Sequence, residues 1–258
     1  MENSVVNYYN QHAREKLNGY LNGNKRLEMA WETLCSHAPG KLLSVLEIGC
    51  GVGNMSYQMS KRWSKAKIKA IDISKSSIDI ANKLFNSNNI EFSVGYLHEI
   101  TFNKTFDLIV LFDVFEHIDS KDRDGFIKKI CELLNPGGTI FLSFPSPTYQ
   151  DFNYKFHPEL MQPVDENITL DVISQLCRTC NAELIFYKNV DVHFEGDYTH
   201  AVIKKYFTQF SRFESSVYLK KNLIIRVIKK SIYYLFFLNP VFSRKAIRMF
   251  KIKHRLKS

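Results

Sequence analysis

The sequence predicts an α/β chain: a parallel sheet with helices on both faces, closed by one antiparallel strand. Three observations carry this reading. Short apolar runs alternate with amphipathic ones along the middle of the chain. A glycine-rich loop follows the first apolar run directly. The last two strand-like runs, Leu184–Val192 and Thr199–Lys204, are separated by about six residues, too few for a parallel crossover, so they form an antiparallel hairpin.

The elements follow in order. Ser4–Leu17 and Lys25–His37 read as two helices before the first strand, a helical cap over residues 1–40. Leu42–Ile48 is a buried strand in pattern and length, and Ile68–Ile73 is a second. Ser74 then caps a helix towards Phe85. Ile90–Val94 and Asp107–Phe112 are the third and fourth strands. The amphipathic helix Asp124–Leu134 is stopped by Asn135-Pro136-Gly137-Gly138, a turn signal that Pro and Gly enforce. Thr139–Phe144 is the fifth strand, and Thr169 caps a helix to about Asn181. The α/β domain spans 41–216.

At 258 residues the chain buries a full core without metal or disulfide staples. Its five cysteines are odd in number and scattered, which predicts thiols in a reducing, cytoplasmic setting; Cys177-x-x-Cys180 has no second ligand pair nearby. No basic segment followed by an apolar one marks a secretory signal at the N-terminus. Net charge is +9, but its placement is uneven. Residues 217–258 hold twelve Lys or Arg and no acid, which leaves 23 basic against 26 acidic residues in 1–216. A uniformly basic domain would suggest nucleic acid; here the whole basic excess is a tail.

After the first strand comes Gly49-Cys50-Gly51-Val52-Gly53, where missing β-carbons allow a tight turn and close approach to a ligand. A nicotinamide fingerprint needs a glycine at 54, and Asn54 stands there instead. Asp72, at the end of the second strand with Ile73 beside it, is placed to bind ribose hydroxyls.

Val45-Leu46-Glu47-Ile48-Gly49-Cys50-Gly51-Val52-Gly53 resembles motif I of the class I S-adenosylmethionine-dependent methyltransferases. Phe106 to Val110 with Glu116-His117-Ile118 resembles their fourth-strand segment, and Leu133 to Gly138 the turn before their fifth strand. The match covers roughly residues 40–205. It implies a Rossmann-like seven-stranded methyltransferase sheet with S-adenosylmethionine as cofactor. Carried over by position, Glu47, Gly49, Gly51 and Gly53 hold the methionine end, and Asp72 the ribose. Leu97 lends a backbone N–H to adenine, and Phe112 lines the far side. The chain departs at Gly95-Tyr96-Leu97, where the family usually has an Asp. The N-terminal helices are similar to those of the small-molecule branch, including ubiquinone-pathway O-methyltransferases. On that resemblance Tyr8, Tyr9 and Arg26 close over the cofactor.

Ligands of such sheets bind outside the carboxyl ends of the parallel strands. The segment from Asp191 to His200, which opens the antiparallel strand, therefore projects over an acceptor pocket. Methyl transfer to oxygen needs in-line placement and a base for a hydroxyl proton, and imidazole titrates in the working range. His117, His157, His193 and His200 are the candidate bases. Asp113, Glu116 and His117 also resemble a cation-binding cluster of ubiquinone-pathway enzymes; helix packing and cofactor support are the preferred role, and no metal is assigned. The aromatic-rich loop Pro145–Gln162 reads as a substrate lid. The nucleobase-amine signature Asn-Pro-Pro-Tyr is absent after the fourth strand, against DNA as acceptor.

In the tail, apolar residues fall at 224, 227, 228, 232, 235 and 238 with Lys and Arg on other faces. The uncharged run 231–242 contains Pro240 and is too short to span a bilayer. This reads as a basic amphipathic segment for an anionic membrane surface, the inner face of the cell membrane; a partner protein or RNA are the alternatives. Together these features predict methyl transfer to a hydroxyl of a small-molecule or lipid-linked saccharide acceptor. Quinone-ring O-methylation and a non-catalytic cofactor-binding scaffold are the rival readings.

Overall fold

The computed structural model describes residues 2–206; the predicted tail, 217–258, lies outside the described residues. Helices α1 (Glu2–Asn22) and α2 (Lys25–His37) precede the sheet. Asn24 caps α2 by accepting from the Leu27 N–H at 3.3 Å. α1 continues past Leu17 and through Gly19, and ends before Gly23, whose φ is +92°.

Seven strands follow: β1 (Ser44–Ile48), β2 (Lys67–Asp72), β3 (Ile90–Val94), β4 (Phe106–Phe112), β5 (Leu134–Pro145), β6 (Glu183–Val190) and β7 (Tyr198–Lys204). Their spatial order is β3-β2-β1-β4-β5-β7-β6. β1 to β5 pair in parallel, whereas β7 runs antiparallel to both β5 and β6, which is the predicted hairpin. The connecting helices are α3 (Asn54–Arg62), α4 (Lys75–Leu84), α5 (Ser120–Leu133), α6 (Pro147–Phe156) and α7 (Leu170–Cys180).

Period-two alternation in the central strands feeds two cores, one on each face. On one face Leu46, Ile109, Leu111 and Leu142 pack with Ile127 and Ile130 of α5 and with Ile173 and Leu176 of α7. On the other, Val45, Leu108, Val110 and Phe141 pack with Ala30 and Leu34 of α2 and with Met55 and Met59 of α3. Strand order reverses between β1 and β4, so the carboxyl-edge crevice opens there, where such sheets take their ligands.

Three expectations need correction. No turn separates α5 from β5: the strand starts at Leu134, and Asn135 to Gly138 run within it through a register shift against Phe106 and Leu108. Pro and Gly are tolerated because they sit at an irregular strand start, with Gly137 at φ +78°. The stretch Pro145–Gln162 is not an open loop. Ser146 caps α6 by accepting from the Tyr149 N–H, Pro147 takes the first turn, and a 3₁₀ turn follows at Pro158–Leu160. Finally, Cys131 and Cys180 form a disulfide rather than separate thiols, because packing of α5 on α7 brings their Cα atoms to 4.7 Å.

Candidate active site

The glycine loop is held from below. Gly49 and Cys50 both donate their N–H groups to the Ile71 carbonyl, at 2.8 and 2.9 Å. Gly49 has φ +72°, and a β-carbon there would stand 2.3 Å from the Val114 side chain, so no other residue fits. Asp72 fixes the loop from the neighbouring strand: Oδ2 accepts from the Gly51 N–H at 2.7 Å and Oδ1 from the Ser74 N–H at 2.8 Å. The Ser74 hydroxyl caps α4 and donates to Asn10 Oδ1 at 2.9 Å, which docks α1 over the crevice.

A cavity of about 620 Å³ runs along this edge, within the range of small-molecule sites. Its walls include Tyr9, Arg26, Glu47, Gly49, Gly51, Asp72, Ile73, Leu97 and Phe112, all of which the sequence places at a cofactor. Gly53 does not line it. Its φ is +82°, and a β-carbon would stand 2.7 Å from Phe92 and 2.9 Å from Ala81, so this glycine serves the packing of α3. Lys16 of α1 lines the cavity beside Gly51, with its ammonium 4.8 Å above the Tyr9 ring. Lys16 carries no signal of its own in the sequence, since helix polarity alone does not say what a helix covers.

Acid–base groups line the same cavity. His117 Nδ1 lies 2.8 Å from the Val164 carbonyl and 2.8 Å from Asp165 Oδ1. Both partners only accept, so Nδ1 carries the proton and Nε2 is the basic nitrogen. Burial works against the charged ring, but Glu116 and Asp165 outweigh it and raise the His117 pKa. Arg26 Nη1 donates to the Tyr198 hydroxyl at 2.6 Å, and Nε lies 3.4 Å from Asp113 Oδ2. Asp113 adopts φ +54°, a strained conformation for a non-glycine residue; Ser143 holds it through its carbonyl and its hydroxyl. Asp113 therefore faces Arg26, and His117 Nδ1 faces Asp165, which ties up two of the three residues of the cation-cluster resemblance. Among the described residues, no group of three or more His, Cys, Asp or Glu could hold a metal ion.

His193 lines the cavity, presented by a loop whose Val192, His193 and Phe194 N–H groups all donate to the buried Asp197 carboxylate. His157 and His200 are not brought to it. His157 ends α6 beside Glu159 on the exposed side. His200 is fully buried beneath α2, with Nδ1 2.9 Å from the Thr33 hydroxyl; burial lowers its pKa to about 4. Pairing of Pro145 with Tyr198 puts Tyr198 at the edge and His200 two residues below it. Tyr198 thus occupies the wall position that the sequence reading gave to His200.

Two carboxyls in the cavity wall are nearly inaccessible. Burial pushes Glu47 up to about 8, against the hydrogen bond it accepts from the Ser56 hydroxyl; the Asp72 charge adds to the rise. Burial also raises Glu116, whose Oε2 has no hydrogen-bond partner. A cationic ligand end above Glu47 would offset the cost of ionising it, which is the fit expected for a sulfonium and ammonium donor. With folded values above the unfolded carboxyl range, each group contributes stability that is full below about pH 4.3 and lost as pH rises through the folded value. Urea midpoints of the full chain without ligand should therefore fall from about pH 5 to 9, and Glu47→Gln should flatten part of that fall. A wild-type midpoint that rises over this range would contradict the assignment.

Residues 45–138 match the family described as "Methyltransferase domain". Malonyl-[acyl-carrier protein] O-methyltransferase of Acetivibrio thermocellus is 30% identical over 115 residues, 44% of this chain and 40% of that protein. Ubiquinone biosynthesis O-methyltransferase of Pelagibacter ubique is 31% identical over 119 residues, 45% of this chain and 48% of that protein. The chain thus spans about half the length of the curated relatives it matches. Among solved structures, the DhpI–SAH complex superposes with a TM-score of 0.61 at 16% identity, over 80% of this chain and 97% of that one. That likeness shows the fold. The domain match over residues 45–138, the motif order and the sheet topology agree on a methyltransferase domain with the Rossmann-like fold.

Proposed function

We propose that this chain transfers a methyl group from S-adenosylmethionine to a hydroxyl of a small-molecule or lipid-linked saccharide, with His117 as the base. The observation that carries the reading is the Asp165–His117 pair, which lines the same cavity as the glycine loop. When bound, S-adenosylmethionine supplies an electrophilic methyl group on a sulfonium. Glu47, Gly49, Gly51, Asp72 and Leu97 would hold it. His117 Nε2 would take the proton of the acceptor hydroxyl, and Asp165 would stabilise the imidazolium that results. Arg26, locked by Asp113, holds the Tyr198 hydroxyl and so fixes the ring in the cavity wall. His193 is placed to orient the acceptor from the hairpin side.

Two features favour a lipid-linked acceptor. Phe152, Phe156 and Leu160 on and beyond α6, with Phe194 of the hairpin loop, expose apolar surface beside the cavity-lining Tyr149. The basic segment 217–258 adds a second attraction for an anionic cytoplasmic leaflet, about 1 kcal/mol for each Lys or Arg near the surface. Full-length protein with radiolabelled S-adenosylmethionine should label a glycolipid fraction of a bacterial membrane extract. It should sediment with phosphatidylglycerol vesicles and be released by high salt, whereas a truncation at Ser216 should stay in solution. Label confined to quinols would replace the acceptor reading, and retention of RNA with indifference to vesicles would replace the membrane one.

A further inference from the structure

Helix α6 presents two kinds of surface, and its inner one is chemically unfinished. Gln150 and Asn153, three residues apart on adjacent turns, both line the cavity while exposing only 3% and 9% of their surface. Gln150 Nε2 and Asn153 Oδ1 are buried without a hydrogen-bond partner. Burial raises the Tyr154 pKa and the Gln150 amide opposes that rise, yet Gln150 Nε2 makes no hydrogen bond of good geometry. An unmet buried donor and an unmet buried acceptor on one helix are costly, and a ligand that completed both would offset that cost.

The helix is also rigidly placed. The Ser146 N–H donates to the Asp197 carbonyl at 2.9 Å, and the Gln150 N–H donates to the Ser146 carbonyl at 2.9 Å. The first turn of α6 is therefore tied to the β6–β7 hairpin loop that presents His193. The chemistry of the pair is neutral. Of the cations that line the cavity, Arg26 is engaged by Asp113 and Tyr198, His117 by Asp165, and Lys16 stands over the Tyr9 ring. An anionic acceptor would find its charge unmatched at these amides, whereas a polyol satisfies one donor and one acceptor with hydroxyls of one kind.

We propose that Gln150 and Asn153 form the acceptor-recognition subsite, Gln150 donating to one hydroxyl and Asn153 accepting from another on a neutral polyhydroxylated ring. The proposal rests on the reading of this cavity as a methyl-transfer site, but its test does not depend on turnover. Methyl α-glucopyranoside, methyl α-mannopyranoside and methyl α-galactopyranoside serve as probes, observed by saturation-transfer NMR on the full chain with S-adenosylhomocysteine bound. At least one should bind the wild type. Gln150→Met and Asn153→Leu should each weaken that binding by about tenfold or more. Asn153→Asp keeps the accepting oxygen and should retain binding better than Asn153→Leu, whereas Gln150→Glu loses the donor and should resemble Gln150→Met. Affinity for S-adenosylhomocysteine should be unchanged in all four. Loss of glycoside binding in the variants, with no methylation by the wild type, supports the subsite and overturns the activity. Unchanged glycoside binding in both Gln150→Met and Asn153→Leu, or no binding to the wild type, overturns the subsite whatever the turnover.

Discussion

Replacing His117 with Ala is expected to lower turnover by about 10²–10⁴-fold while leaving S-adenosylhomocysteine affinity within about twofold. The imidazole lines the cavity with its ring oriented by a carboxylate, Asp165 Oδ1 standing 2.8 Å from Nδ1. Asp165→Asn should lose about 10²-fold or more, because an amide no longer favours the proton on Nδ1 nor stabilises the imidazolium. The pH profile separates this from a structural role. With the His117 pKa raised, the wild-type rate should climb as pH passes above the ordinary imidazole value of about 6.5 and Nε2 loses its proton. His117→Ala should lack that limb. If His117→Ala kept wild-type turnover and the same profile, the role would pass to His193 or to water.

How much of this was legible beforehand depends on the range of the interaction. The glycine loop and Asp72 were readable because a strand end, a turn and a second strand end lie within about 25 residues, and local spacing fixes their relation. The hairpin of β6 and β7 followed from the short connection alone. The helix α6 was readable but missed. Its Ser146-Pro147 start and the aromatic residues at 149, 152 and 156 carry helical signals that a dense aromatic stretch obscured. Asp165 is a different case. It lies in a segment without periodic structure, and only folding brings it to His117. The disulfide depends likewise on α5 meeting α7, across 49 residues of sequence. His200 failed for a finer reason: topology put its segment at the right edge, but register put its ring two residues too deep.

Gly51→Val is expected to abolish cofactor binding without unfolding the domain. Gly51 has φ +53°, disfavoured for any β-branched residue, and its missing β-carbon faces the cavity 3.4 Å from Lys16. A valine there puts two methyl groups where the donor must lie and moves the N–H that Asp72 accepts. Asp72→Ala should weaken binding by about 1–3 kcal/mol, through loss of a charge-assisted bond to the ribose. Its two backbone hydrogen bonds, to Gly51 and Ser74, place the effect towards the upper end of that range. The most direct measurement is calorimetric titration of S-adenosylhomocysteine into the full chain, wild type beside Gly51→Val and Asp72→Ala. Saturable one-site binding is expected for the wild type, none for Gly51→Val and about 10–100-fold weaker binding for Asp72→Ala. Equal affinity in all three proteins, or no heat of binding in the wild type, would contradict this expectation.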